Sequence, residues 1–148
     1  MRSRTVSSYG EKTHDLDQVV RWAARRKVLI VDDDFGFSDM IRMILEQHGY
    51  EVDLAADGVK GVKSIMVNDY SVILCDMVMP ELAGDMFYTA IERVKPHLCR
   101  RFIFVTGHQG DRKVDDFIRK VRGLVLWKPF QTHVLLETIQ AVEQKTQD

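Results

Sequence analysis

The chain has only two cysteines, Cys75 and Cys99. They form neither a metal-ligand motif nor a disulfide framework, which excludes a small disulfide-stapled fold. Cys75 ends an apolar run and reads as a small buried hydrophobe. No charge of one sign dominates, since 21 Lys and Arg face 22 Asp and Glu, a formal net charge of -1. That balance leaves no electrostatic footprint for nucleic acid or an anionic membrane. Long apolar runs are also missing, because charges interrupt each one well short of the ~20 residues a membrane span needs. The first residues are basic and polar and lack an apolar signal core, which argues against secretion. No internal repeat or low-complexity segment occurs. The 148 residues, 45% of them hydrophobic, suit one globular domain with one core in a reducing cytoplasm.

What is present is alternation. Residues 1–12 are polar and read as a tail. Leu16, Val19, Val20 and Ala23 share a helical face, with Asp15 as candidate N-cap and Arg25, Arg26 and Lys27 suited to a C-terminus. Residues 1–26 are thus a tail with a short amphipathic helix, and residues 27–146 the main domain. Val28-Leu29-Ile30-Val31 is a strand buried on both faces. Phe37, Met40, Ile41, Ile44 and Leu45 then repeat with helical period, stopped at Gly49. The pattern recurs. Tyr50, Val52 and Leu54 precede a helix through Val62 and Ile65, and Val72–Cys75 precede one through Phe87 and Ile91. Phe102–Val105 precede a helix through Val114 and Ile118 that ends at Gly123, and Leu124–Trp127 precede one through Leu135 and Ile139. Met40, Met43, Met66 and Met86 read as core filling. Five strand–helix units at this spacing predict an α/β domain, a doubly wound parallel sheet with helices on both faces.

Four of the five strands end in a polar group: Asp32 and Asp33, Asp76, Thr106, and Lys128. In an open parallel sheet such groups gather outside the carboxyl ends of the strands. Three adjacent carboxylates cannot all stay ionised without compensation, which a divalent cation supplies. Hard oxygen donors without a histidine or cysteine cluster favour Mg²⁺. A carboxylate oxygen of Asp76 can then attack a phosphoryl group in line. Lys128 and the metal would stabilise the charge, and Thr106 would donate its hydroxyl. Each group alone has a plainer reading. Asp32 and Asp33 suit a helix N-terminus, Asp34 suits a cap, and Lys128 suits a surface turn. Four together at four strand ends point to a site.

Asp32-Asp33, Asp76 with Pro80 and Gly84, Thr106-Gly107, and Lys128-Pro129-Phe130 resemble the receiver domain of two-component response regulators, of the chemotaxis-regulator-like kind. The resemblance covers about residues 27 to 145. It implies a flavodoxin-like sheet of order 2-1-3-4-5, with Asp76 taking a phosphoryl group from a histidine kinase or histidine phosphotransfer protein. Asp33, Asp76 and the main-chain carbonyl of Val78 would bind Mg²⁺, with Asp32 acting through water. Thr106 and Lys128 would bind the phosphoryl group and carry the switch, and the Lys128-Pro129 bond would be cis. Val78 and His108 hold the positions that tune phosphoryl lifetime in the family, and an apolar Val78 implies slow to moderate hydrolysis. Val125 departs from the pattern. It stands where receivers carry an aromatic that moves with the threonine, and a valine has no comparable rotamer swing.

On this reading the chain is a switch that assists only its own phosphorylation and dephosphorylation, not an enzyme with an independent substrate. Two readings stay open beside it: a degenerate receiver acting only as a protein-binding module, and an Asp-nucleophile phosphohydrolase. The last helix runs nearly to Asp148, so no DNA-binding domain is expected after it in this chain. A dimer through the fourth helix, fifth strand and fifth helix, or through the N-terminal helix, is also open.

Overall fold

The computed structural model describes residue 16 and residues 26–79, 82–107 and 110–146. Among the described residues from Lys27 on, five strands and five helices alternate: β1 Lys27–Val31, α1 Phe35–Gln47, β2 Glu51–Ala55, α2 Gly58–Val67, β3 Val72–Asp76, α3 Gly84–Val94, β4 Phe102–Thr106, α4 Arg112–Val121, β5 Leu124–Trp127 and α5 Thr132–Lys145. A 3₁₀ turn, Pro96–Arg101, joins α3 to β4. All strand pairs are parallel, in the order β2-β1-β3-β4-β5. The expected doubly wound α/β sheet and its 2-1-3-4-5 order are both present.

Strand alternation divides the core between two faces. Leu29, Val31, Ile73, Cys75, Phe102 and Phe104 face Ile65, Phe87, Ile91 and Ile118 of α2, α3 and α4. Val28, Ile30, Val72, Leu74, Ile103 and Val105 face Ile41, Leu45, Leu135 and Ile139 of α1 and α5. Both sides of the central strands are therefore dry, which is why their sequences are continuous apolar runs. Each fully buried aliphatic side chain contributes about 1.5–3 kcal/mol, and every residue of β3 is buried.

Asp34, Asp57 and Asp111 cap α1, α2 and α4 through side-chain bonds to backbone N–H groups. Each cap contributes about 1 kcal/mol, and Asp34 plays the role its sequence position predicts. Gly49 ends α1 with φ +85, the left-handed geometry a glycine takes without strain. α4 ends just before Gly123, as expected, and the left-handed residue there is Arg122, φ 55, not the glycine. Gly123 is needed for a different reason, since a Cβ there would come within 2.5 Å of the Phe104 ring.

Three expectations need correction or limitation. Met40, Met43, Met66 and Met86 are not core filling, because they are 50%, 55%, 55% and 60% exposed. The apolar stripe of each helix is narrower than the run of apolar residues suggests, and Ile41, Leu45, Ile65 and Phe87 already fill it. The 3₁₀ turn Pro96–Arg101 has no counterpart among the five expected strand–helix units. The amphipathic helix expected before Lys27 lies almost wholly outside the described residues, as does His108.

Candidate functional site

The strand registers bring the polar strand ends together. β1 and β3 pair directly, with Val31 opposite Cys75, so the residues that follow, Asp32 and Asp76, emerge side by side. β4 lies on the other side of β3 and ends at Thr106, which pairs with Trp127 just before Lys128. Lys128 N–H donates to the Thr106 carbonyl at 2.9 Å, tying the fourth and fifth strand ends together.

Carboxylate oxygens of Asp32, Asp33 and Asp76 all lie within 4.8 Å of one another. Asp32 is 4% exposed and Asp76 8%, whereas Asp33 is open to solvent. Burial pushes the Asp76 carboxyl up to about 6. Charge on Asp32 and Asp33 adds to that rise, while the Val78 N–H and the Lys128 ammonium oppose it. The backbone N–H of Val78 donates to Asp76 Oδ1 at 3.2 Å, and that of Asp34 to Asp32 Oδ1 at 2.9 Å. These bonds fix the carboxylate rotamers. The donor set is all oxygen, strongly anionic and partly desolvated, which fits a small hard divalent cation.

Lys128 Nζ stands 2.9 Å from Asp32 Oδ2 and 3.9 Å from Asp76 Oδ2. It also lies 4.1 Å from the centre of the Phe37 ring, which meets Phe130 edge-on at 5.9 Å. The ammonium is thus held between a carboxylate and an aromatic face. The Lys128-Pro129 bond is cis. Thr106 is fully buried. Cys75, one residue before Asp76, is enclosed, and burial raises its thiol well above the ordinary range.

The family model of the response regulator receiver domain matches residues 28–140. The chain belongs to this family. Curated relatives of this receiver include the response regulator ArlR of Staphylococcus saprophyticus, 29% identical over 122 residues, covering 78% of this chain and 51% of the relative. The DNA-binding dual master transcriptional regulator RpaA of Synechocystis is 28% identical over 126 residues, 81% of this chain and 50% of the relative. The chain spans about half the length of the curated relatives it matches. Among solved structures, a CheY-like receiver domain protein of Methanospirillum hungatei superposes with TM-score 0.75 at 28% identity, covering 82% of this chain and 95% of that one. Chemotaxis protein CheY4 of Vibrio cholerae does so with TM-score 0.71 at 31% identity, over 78% and 97%.

In this receiver, Asp32, Asp33, Asp76 and Lys128 form one cluster, and Val78 touches it through its N–H. Val125 lies away from the cluster, half-buried against the core and paired with Phe104. Two contributors were not singled out from the sequence. Phe37 was read only as part of a helical face, and its contact with Lys128 is visible only in three dimensions. Gly84 was read only as a motif residue. A Cβ there would come within 2.6 Å of the Asp76 carbonyl oxygen and 2.9 Å of Met77 Cα, so the start of α3 can approach the Asp76 backbone only as glycine. Among the described residues, no helix is long and apolar enough to cross a membrane.

Proposed function

We propose that the chain is a phosphoacceptor switch in which Asp76 takes a phosphoryl group from the phosphohistidine of a histidine kinase or histidine phosphotransfer protein. The observation that carries this reading is the cluster itself: a nearly buried carboxylate flanked by two others, with an ammonium 3.9 Å away. An Asp76 oxygen attacks phosphorus in line. The phosphorus–nitrogen bond breaks, and the imidazole leaves with the electron pair and is reprotonated from solvent. Asp33, Asp76 and the Val78 carbonyl would hold Mg²⁺, with Asp32 acting through water. When bound, the cation would neutralise charge on the carboxylates and the equatorial phosphoryl oxygens. Lys128 needs only a small movement from Asp32 to reach the new phosphoryl oxygens, and the Thr106 hydroxyl donates to another. Val78 cannot hydrogen-bond a hydrolytic water through its side chain, which suits slow to moderate loss of the phosphoryl group.

The proposed receiver unit is residues 27–146. Its activity is confined to its own phosphorylation and dephosphorylation, and its setting is the cytoplasm. The deciding experiment is phosphotransfer from a panel of labelled histidine kinases and phosphotransfer proteins, with Mg²⁺, to the wild type and to Asp76→Asn. Label on the wild type alone is expected. Label on the Asp76→Asn protein would overturn the assignment, and no label on the wild type from any donor, small acyl phosphates included, would favour a binding module.

A further inference from the structure

β5 is an edge strand of the described sheet, and its last residue, Trp127, stands directly opposite Thr106 of β4 in the parallel register. Strand alternation puts both side chains on the α4 face of the sheet, where Phe104 and Val125 pack two residues earlier. The next residue, Lys128, turns to the acidic cluster, with its ammonium 3.9 Å from Asp76 Oδ2. Its backbone N–H donates to the Thr106 carbonyl at 2.9 Å. Trp127 is therefore joined to the site through two neighbours, Thr106 across the strands and Lys128 along the chain. On its other side it meets α4. Asp115, Ile118 and Arg119 line an open recess of about 350 Å³ beside the indole.

A half-buried tryptophan at a sheet edge has a plain reading as packing. What sets Trp127 apart is its freedom to move. Three side chains flank Thr106 on this face. Phe104 is fully buried, and Gly123 is pressed against its ring, so that a Cβ there would lie 2.5 Å from it. Val125 is β-branched and stiff at χ1. Trp127 is half-buried, turns about two side-chain torsions and borders the recess. Thr106 is itself fully buried. Drawing its side chain toward Asp76 opens a gap, and a close-packed interior loses contact energy at any gap it keeps. Of the three neighbours, the indole is the one placed to close it.

We propose that Trp127 reads the state of Asp76 through Thr106 and passes it to α4. The inference rests on the phosphoacceptor reading above. When the Thr106 hydroxyl turns to a phosphoryl oxygen, the indole follows it inward and withdraws from the recess. Asp115 and Arg119, one turn apart on α4, lose the ring as a neighbour, and the recess deepens over Ile118. The α4 surface then has two shapes, a recess walled by the indole before phosphorylation and a deeper one after it. Val125 has no such movement to offer. The chain carries its mobile aromatic two residues further along the same face, in direct register with the threonine.

The test uses the full chain with Trp22→Phe, which leaves Trp127 as the only tryptophan. This protein is phosphorylated by a small acyl phosphate with Mg²⁺, and intact mass counts the adduct. Trp127 fluorescence is read alongside, with acrylamide as quencher. The adduct is expected to shift emission to shorter wavelength and to protect the indole from acrylamide. Deuterium uptake of α4 is expected to change with the adduct. Trp127→Leu keeps an apolar side chain at the sheet edge and is expected to take the phosphoryl group while α4 uptake stays constant. Thr106→Val protein carrying the adduct is expected to show neither change. An adduct without a fluorescence shift, the same shift in Thr106→Val, or an α4 response that survives in Trp127→Leu would overturn the inference alone. Absence of any adduct on the parent protein would overturn the phosphoacceptor reading, and this inference with it.

Discussion

Lys128 is paired with Asp32 rather than with Asp76: its ammonium is 2.9 Å from the first carboxylate and 3.9 Å from the second. The Asp32 side chain is 2% exposed and that of Lys128 24%, so the pair is poorly screened. Removing the cation leaves a buried carboxylate without its partner. Lys128→Met is expected to destabilise the metal-free protein by about 2–4 kcal/mol, read from urea unfolding in EDTA. Mg²⁺ should restore part of that loss. A loss under about 0.5 kcal/mol, the size of an ordinary surface change, would show that Asp32 finds compensation elsewhere.

Asp76 gives the site a pH dependence of definite sign. Its folded-state value is about 6, raised from 3.8 by burial and by neighbouring charge. The native state therefore binds this proton more tightly than the unfolded chain does. Stability from this source is full below about pH 4 and is lost as pH rises through about 6. Asp76→Asn removes the loss. In EDTA at pH 7 the variant should be more stable than the wild type by roughly 1–2 kcal/mol, a figure discounted for partial solvent access. The gap should close near pH 4 and shrink in Mg²⁺. Equal stability at both pH values would contradict the burial argument.

Asp33 is the solvent-exposed member of the acidic cluster, so its removal disturbs the fold least. Asp33→Asn is expected to unfold like the wild type in EDTA yet to bind Mg²⁺ about tenfold more weakly. The rise in Tm on adding Mg²⁺ reports this directly. An unchanged Mg²⁺ response would remove Asp33 from the ligand set.

Gly84 lies against the backbone that carries Asp76. An added Cβ would meet the Asp76 carbonyl oxygen and Met77 Cα, neither of which can rotate away. Gly84→Ala is expected to cost about 2–4 kcal/mol, measured by thermal or urea unfolding. Gly36→Ala is the control, since its only close neighbour is a side-chain oxygen at 3.6 Å.

The Phe37 ring centre lies 4.1 Å from the Lys128 ammonium. Phe37→Leu keeps an apolar side chain but removes the ring face and the edge contact with Phe130. The expected cost is about 1 kcal/mol, together with slower phosphorylation by a small acyl phosphate, followed by intact mass. Unchanged kinetics would make Phe37 a packing residue only.

The sheet was legible because β1, β3 and β4 are dry on both sides, and that environment accepts only unbroken apolar runs. The acidic cluster was legible for another reason: a carboxylate at one strand tip has a plainer reading, but polar groups at four strand ends of one parallel sheet converge. The helices were read less well. An exposed methionine and a buried one obey the same period, and only the packing separates Met40 from Ile41. The pairing of Lys128 with Asp32 and Phe37 joins opposite ends of the chain, and no local pattern encodes it. Gly123 was legible as a helix end, whereas its contact with the ring of Phe104 and the left-handed backbone of Arg122 belong to the packing.

Asp76 ends the central strand, in which all five residues are buried and both edges are hydrogen-bonded. The proposed phosphoacceptor thus sits at the tip of a strand held along both edges. Backbone amides of β3 should be among the last to exchange with deuterium, and their exchange should require global unfolding. Any rearrangement begun at Asp76 would then travel through the loops beyond the strand tips, leaving the deuterium-uptake profile of the sheet unaltered.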